Sequence, residues 1–210
     1  MSSRKNIIAA VMLSSLLAAC GTTTKSVEGF TPSAGLNGLV QDRSELPTLV
    51  YTRPGAPGLG QYNRFIVDPV RIDYSDPKMR ELNAEQMEQM QRRLQASVAS
   101  ELQAAGYQIG TRSGPGTMRI SMTIANLKAP SAAANVARAF IPFSFSVGEV
   151  TVEAVFRNSA ANRVDAVVVN RAQGNRIASS QPWNTWADAE KSFKEWAVGI
   201  RKAVDEAHGK

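Results

Sequence analysis

Val150-Thr151-Val152-Glu153-Ala154-Val155-Phe156, the turn-like Asn158-Ser159-Ala160-Ala161-Asn162, and Val164-Asp165-Ala166-Val167-Val168 together decide how this chain folds. Val150, Val152, Ala154 and Phe156 occupy alternate positions, as do Val164, Ala166 and Val168, the period-two pattern of half-buried strands. A hairpin centred on Ala160 sets Val152 opposite Val168, Ala154 opposite Ala166 and Phe156 opposite Val164, so apolar meets apolar along one face. The same register places Glu149 across from Arg171, and Arg157 across from Arg163, a like-charge pair that predicts a splayed tip. On the other face Val155, Val167 and Val169 are more apolar than solvent contact requires. Two readings stay open for them, cover by the rest of the chain or binding of something else.

Outward from the hairpin, Met118, Ile120, Met122 and Ile124 alternate with polar residues and read as a third strand. Thr48 to Thr52 is short and β-prone, and ends in turn clusters at Arg53-Pro54-Gly55 and Pro57-Gly58-Leu59-Gly60. Arg64 to Tyr74 alternates around Phe65, Val67 and Val70, with Pro69 arguing for an edge or a bulge. Two helices complete the set. Asn83 and Gln86 form a capping pair ahead of Met87, Met90, Leu94, Val98 and Leu102, and Gly106 ends that helix. Thr185 and Asp188 open another, with Ala189, Phe193, Trp196, Ile200 and Val204 on one stripe, running to about His208. The expected fold is α+β, a small mixed or antiparallel sheet of about four strands with two long helices packed on one face as a two-layer sandwich.

The N-terminus is of another kind. Arg4 and Lys5 precede an apolar run from Ile7 to Leu17, and Leu17-Ala18-Ala19-Cys20-Gly21 follows. This charged, apolar, small-residue order is that of an export signal, and the run falls short of the ~20 apolar residues that span a bilayer. The cysteine at its end, the only one in the chain, resembles the lipobox of bacterial lipoproteins. That resemblance implies cleavage between Ala19 and Cys20, acylation of Cys20, and a lipid bilayer as first partner. Residues 1–19 are then a signal peptide, 20–46 a lipidated cysteine with a flexible tether, and 47–210 a single globular periplasmic domain. From Gly21 to Gly35 the chain is rich in Gly, Ser, Thr and Pro, giving a reach of roughly 20 Å. Loss of Arg4 and Lys5 lowers the formal charge from +6 to +4, compatible with anionic envelope neighbours and with plain solubility.

Chemistry is sparse. His208 is the only histidine and lies at a helix end, so imidazole catalysis and multi-histidine metal sites are not expected. No catalytic residue, metal site or cofactor is expected, and the chain reads as a non-enzyme. Ser75-Asp76-Pro77-Lys78 places a proline inside what would be a serine–lysine pair. Glu149 and Glu153 share a strand face at a separation of roughly 13 Å, too far for a glycosidase pair and more in keeping with solubilising charges. Gly55, Gly58 and Gly60 do not open a helix and fail as a phosphate loop. With neither an RNA-type aromatic motif nor a dense basic helix, nucleic acid is not an expected partner. The segment from Lys128 to Val147, with Phe140, Ile141, Phe143 and Phe145, is either a lid over the core or an aromatic arm for a partner or a membrane.

Tyr51-Thr52-Arg53-Pro54-Gly55, Val67-Asp68-Pro69-Val70, the alternating hairpin, and Trp186-Ala187-Asp188-Ala189 with Phe193 and Trp196 resemble the bacterial lipoproteins grouped as domain-of-unknown-function family 3313. The resemblance implies a Gram-negative envelope lipoprotein with no established activity. Gly21 rather than aspartate after the cysteine implies the outer membrane, with the domain facing the periplasm. Two roles follow as expectations. One is a non-catalytic accessory protein that meets an envelope protein through its sheet face or through Phe140, Phe143 and Phe145. The other is a binding module for an anionic envelope component (peptidoglycan, lipopolysaccharide or phospholipid) using Arg157, Arg163, Arg171 and Arg176.

Overall fold

A computed structural model describes residues 22–24, 35–45, 48–74, 83–128, 149–174 and 187–210. Among them, nine strand segments form one mixed sheet. They are Thr22–Thr24 (β1), Val40–Asp42 (β2), Leu49–Thr52 (β3), Arg64–Val67 (β4), Arg71–Ile72 (β5), Gln108–Ile109 (β6), Thr117–Lys128 (β7), Glu149–Asn158 (β8) and Arg163–Gly174 (β9). The expected small sheet of about four strands is therefore corrected to a much larger one. The missed segments, β1, β2 and β6, are two or three residues long, too short for any alternation to register, and Arg64 to Tyr74, read as one strand, is the two strands β4 and β5. The expected signal in residues 1–19 lies outside the described residues.

Strand order is β2-β3-β9-β8-β7-β4-β6, with β1 joining β9 and β5 joining β7. The hairpin β8–β9 and its neighbour β7 are antiparallel, whereas β4 and β5 lie parallel to β7. A parallel pair needs a long crossover, and the helix Ala84–Ala104 (α1) supplies it. Pro69, with no amide donor, falls in the gap between β4 and β5. Around it the parallel alignment continues through Asp68 N–H to the Ile120 carbonyl and Asp73 N–H to the Ile124 carbonyl. β1 and β2 both fall within residues 20–46, the stretch read as a tether.

The capping pair at Asn83 forms, its side chain accepting from the Gln86 amide, and Gly106 takes φ 89° just past the helix end. Met87, Met90, Leu94, Val98 and Leu102 are all buried, so the methionine stripe fills core. The second helix, Ala187–Ala207 (α2), contributes Phe193, Ala197 and Val204 to the same core, with Trp196 and Ile200 packed against it. Thr185, expected to open it, lies outside the described residues. Opposite both helices the core takes Met118, Ile120, Met122 and Ile124 from β7 and Val152, Ala154 and Phe156 from β8.

The other face of the sheet has its own smaller cluster. Leu49, Val155, Val167 and Val169 are buried there, with Leu39, Tyr51 and Val164 packed on them. Of the two readings for this face, cover by the chain itself is the one observed.

The molecule has two distinct ends. At the hairpin end lie the Asn158–Arg163 turn, the starts of β4 and β7, and the C-terminal turns of both helices, tied there by Tyr107 to Asp205 and Arg201 to Glu101. The opposite, basal end holds Lys128 paired with Glu149, and Gly174 paired with Thr22.

Candidate functional site

The hairpin forms, but in a different register from the one alternation predicts. Val152 lies opposite Asn170, Ala154 opposite Val168 and Phe156 opposite Ala166; the register then slips, so that Arg157 meets Val164 and Asn158 meets Arg163. Between Val164 and Ala166, Asp165 is the extra residue of a β-bulge. Beyond the bulge the pairing stands two residues from the simple register, which preserves the faces and hides the error from any argument based on alternation. The shift also separates Arg157 from Arg163, which the simple register sets directly opposite each other.

Asp165 is the centre of a polar knot. Its carboxylate is only 4% exposed and accepts hydrogen bonds from Arg163 Nε at 2.8 Å and Tyr62 Oη at 3.2 Å. Asn158 Nδ2 donates to the same phenol oxygen at 3.0 Å. Burial, then the charge and hydrogen bond of Asp165, raise the Tyr62 pKa above its ordinary value. The Arg163 guanidinium is likewise held more firmly protonated, first through its hydrogen bond to Asp165 and then through that residue's charge. Arg53 binds the same bulge from the end of β3. Its amide donates to the Asp165 carbonyl at 2.8 Å, Nε to the Val164 carbonyl at 2.7 Å and Nη2 to the Asn37 carbonyl at 3.0 Å. Gly38 makes room for this arginine, since a Cβ there would lie 2.4 Å from Arg53 Nη1.

A second knot joins the helix ends. Tyr107 Oη donates to Asp205 Oδ1 at 2.8 Å, while Arg201 reaches Asp205 Oδ2 at 2.5 Å and Glu101 Oε2 at 3.2 Å. Burial, then Asp205, push the Tyr107 phenol up to about 12. His208 is part of this structure. Nδ1 donates to the Val204 carbonyl at 2.8 Å, Nε2 lies 3.1 Å from Asn63 Oδ1, and the ring sits 5.2 Å from that of Tyr107. Lys210 closes over the Tyr107 ring at 4.5 Å.

A third group lies on the sheet face away from the helices. Ser121 Oγ donates to Asp68 Oδ2 at 2.6 Å, and Arg119 Nε is 3.7 Å from the other oxygen of that carboxylate. A serine facing a carboxylate is one part of an activated nucleophile, but that arrangement also needs a third group orienting the base. Here the group beside Asp68 is a cation that holds the carboxylate as a partner. Glu153, read from sequence as a solubilising charge, is instead 1% exposed at the centre of the sheet, opposite Thr123 and Val169.

The three described arginines of the expected anion site are not brought together. Arg163 is engaged by Asp165, and Arg157 donates to the Asn162 carbonyl at the tip. Arg171 lies opposite Thr151, six residues along β8 from Arg157, a separation of roughly 20 Å at strand rise. Cys20, Ala19, Phe140, Phe143, Phe145, Arg176, Ser75 and Lys78 lie outside the described residues, as does the side chain of Glu149. Sequence reasoning missed Asp165, Tyr62 and Arg53. The available signal was Asp165 itself, an acid that simple alternation puts on the face of Val167 and Val169, two residues from an arginine with an unfavourable partner. Among the described residues no three His, Cys, Asp or Glu side chains group to hold a metal, and no helix is long and apolar enough to cross a membrane.

Fold and polar knots together define a two-layer α+β domain, a broad sheet carrying two helices on one face, locked at one end by buried acid–phenol–arginine contacts. Within that class the chain belongs to the family described as protein of unknown function (DUF3313), whose model matches residues 28–200. No curated protein matches the chain. Among solved structures it is similar to the PelC dodecamer from Paraburkholderia phytofirmans, at 12% identity and a TM-score of 0.39, over 75% of this chain and 95% of that one. It is also similar to a minor lipoprotein from Acinetobacter baumannii, at 8% identity and a TM-score of 0.39, over 70% and 94%. A third likeness is to protein XCC0632 of family DUF330 from Xanthomonas campestris, at 12% identity and a TM-score of 0.44, over 75% and 91%.

Proposed function

We propose that this protein is a non-catalytic accessory lipoprotein of the cell envelope, held by an acylated Cys20 at the outer membrane and facing the periplasm. The observation that carries the reading is the sequence order Arg4-Lys5, Ile7 to Leu17, then Ala18-Ala19-Cys20-Gly21. Each buried CH₂ of an acyl chain contributes about 0.8 kcal/mol, so two or three chains fasten a protein without a spanning helix. Gly21 in place of aspartate supports outer-membrane sorting. Further support comes from the use of the polar groups. Asp165, Asp205, Glu101 and His208 each have neighbours that tie one element to another, which suits a rigid scaffold. With Val155, Val167 and Val169 of the sheet face already buried within the chain, the contact with an envelope protein falls to Phe140, Phe143 and Phe145.

Two measurements test this. Intact mass of the membrane-extracted protein should show loss of residues 1–19 and gain of two or three acyl chains, and Cys20→Ser should abolish both. A Cys20→Ser product processed as before and still membrane-bound after a high-salt wash would refute the anchor. Photocrosslinking from position 143 in intact cells should capture one defined protein, whether or not lipid is captured as well; recovery of no protein would refute the accessory role.

A further inference from the structure

The strand β1 changes what an anchor at Cys20 would do. Thr22, Thr23 and Thr24 pair antiparallel with Gly174, Gln173 and Ala172, at the last residues of β9. Gly21 alone separates Cys20 from this pairing. Two residues of extended chain span at most about 7 Å, against the roughly 20 Å expected of a free fifteen-residue tether. The direction of β1 also matters. Antiparallel to β9, it enters the sheet from the basal end, with Thr22 at Gly174.

We infer that the domain is seated on the bilayer in one fixed orientation, its basal end against the lipid headgroups and its hairpin end directed away. The inference rests on lipidation of Cys20. The surface against the membrane is the rim where Lys128 pairs with Glu149 and Thr22 with Gly174. β8 covers ten residues between that rim and the tip, which places Arg157 and Arg163 roughly 30 Å from the headgroups. Those two arginines are therefore beyond reach of the anchoring lipid, and the anionic surface of the protein's own membrane is not what they meet.

The test uses full-length lipidated protein in vesicles of phosphatidylethanolamine and phosphatidylglycerol. Acylation consumes the only native thiol, so Lys128→Cys and Ala160→Cys each offer one labelling site, at the rim and at the tip. With a nitroxide quencher on the lipid headgroups, a fluorophore at position 128 should lose most of its emission and one at position 160 almost none. Ten Gly/Ser residues inserted between Gly21 and Thr22 leave β1 intact and lengthen the leash to about 17 Å. That insertion should restore emission at position 128. Equal quenching at the two positions in the native-length chain overturns the orientation, and so does rim quenching unchanged by the insertion. Protein that lacks the acyl mass and stays out of the vesicles refutes the anchor instead, so the two failures are distinguishable.

Discussion

Gly60 shows how closely the hairpin end is packed. A Cβ at this residue would stand 2.3 Å from the Ala207 carbonyl oxygen, so the turn before β4 touches the backbone at the end of α2 with no side chain between. Gly60→Ala should cost about 1–3 kcal/mol, read as a lower midpoint in thermal unfolding. Asp165→Ala removes the acceptor of both Tyr62 and Arg163, and should cost about 1–3 kcal/mol in urea unfolding. Asp165→Asn, which still offers an oxygen, should cost less. Tyr107 makes a pH prediction. Its phenol is raised from an ordinary 10.0 to about 12 by burial and Asp205, so the folded state holds the proton more tightly than the unfolded chain. That stabilisation is complete below about pH 10 and is lost as pH rises to about 12. Stability should fall across this window, and more shallowly in Tyr107→Phe. Neither the Tyr62–Asp165 nor the Tyr107–Asp205 contact was legible in the sequence, because each joins residues about a hundred positions apart.

At the level of elements, legibility followed length. α1 read cleanly because its apolar residues repeat over 21 positions between a cap and a glycine. Asn83→Ala should cost about 1 kcal/mol and Leu94→Ala about 2–5 kcal/mol, both measurable by chemical denaturation. β7, β8 and β9 read as strands for the same reason, each being ten to twelve residues long. Register was another matter. Alternation fixes which face a side chain takes but not which partner it meets, and every pair beyond the Asp165 bulge is displaced by two while the faces stay intact. The short strands were invisible because two or three residues carry no period; their positions are set by the neighbour they pair with.

Over the whole molecule, charge is dispersed. Arg157 and Arg171 stand roughly 20 Å apart along the sheet, beyond the ~10 Å Debye length at 0.1 M salt. Arg157→Glu and Arg171→Glu should therefore act independently on any binding to lipopolysaccharide, the double variant showing the sum of the two free-energy losses. A cooperative loss in a pulldown series would reveal a shared site. The helix α2 has a consequence for biogenesis. It follows every strand in chain order, yet Phe193, Ala197 and Val204 complete the main core. On the proposed export from the N-terminus, the chain cannot close that core until Ala187–Ala207 emerge. A chain halted before Ala187 would therefore leave Met118, Ile120, Met122 and Ile124 without the cover that Phe193, Ala197 and Val204 give them, an open core that proteases should cut faster than the full-length domain.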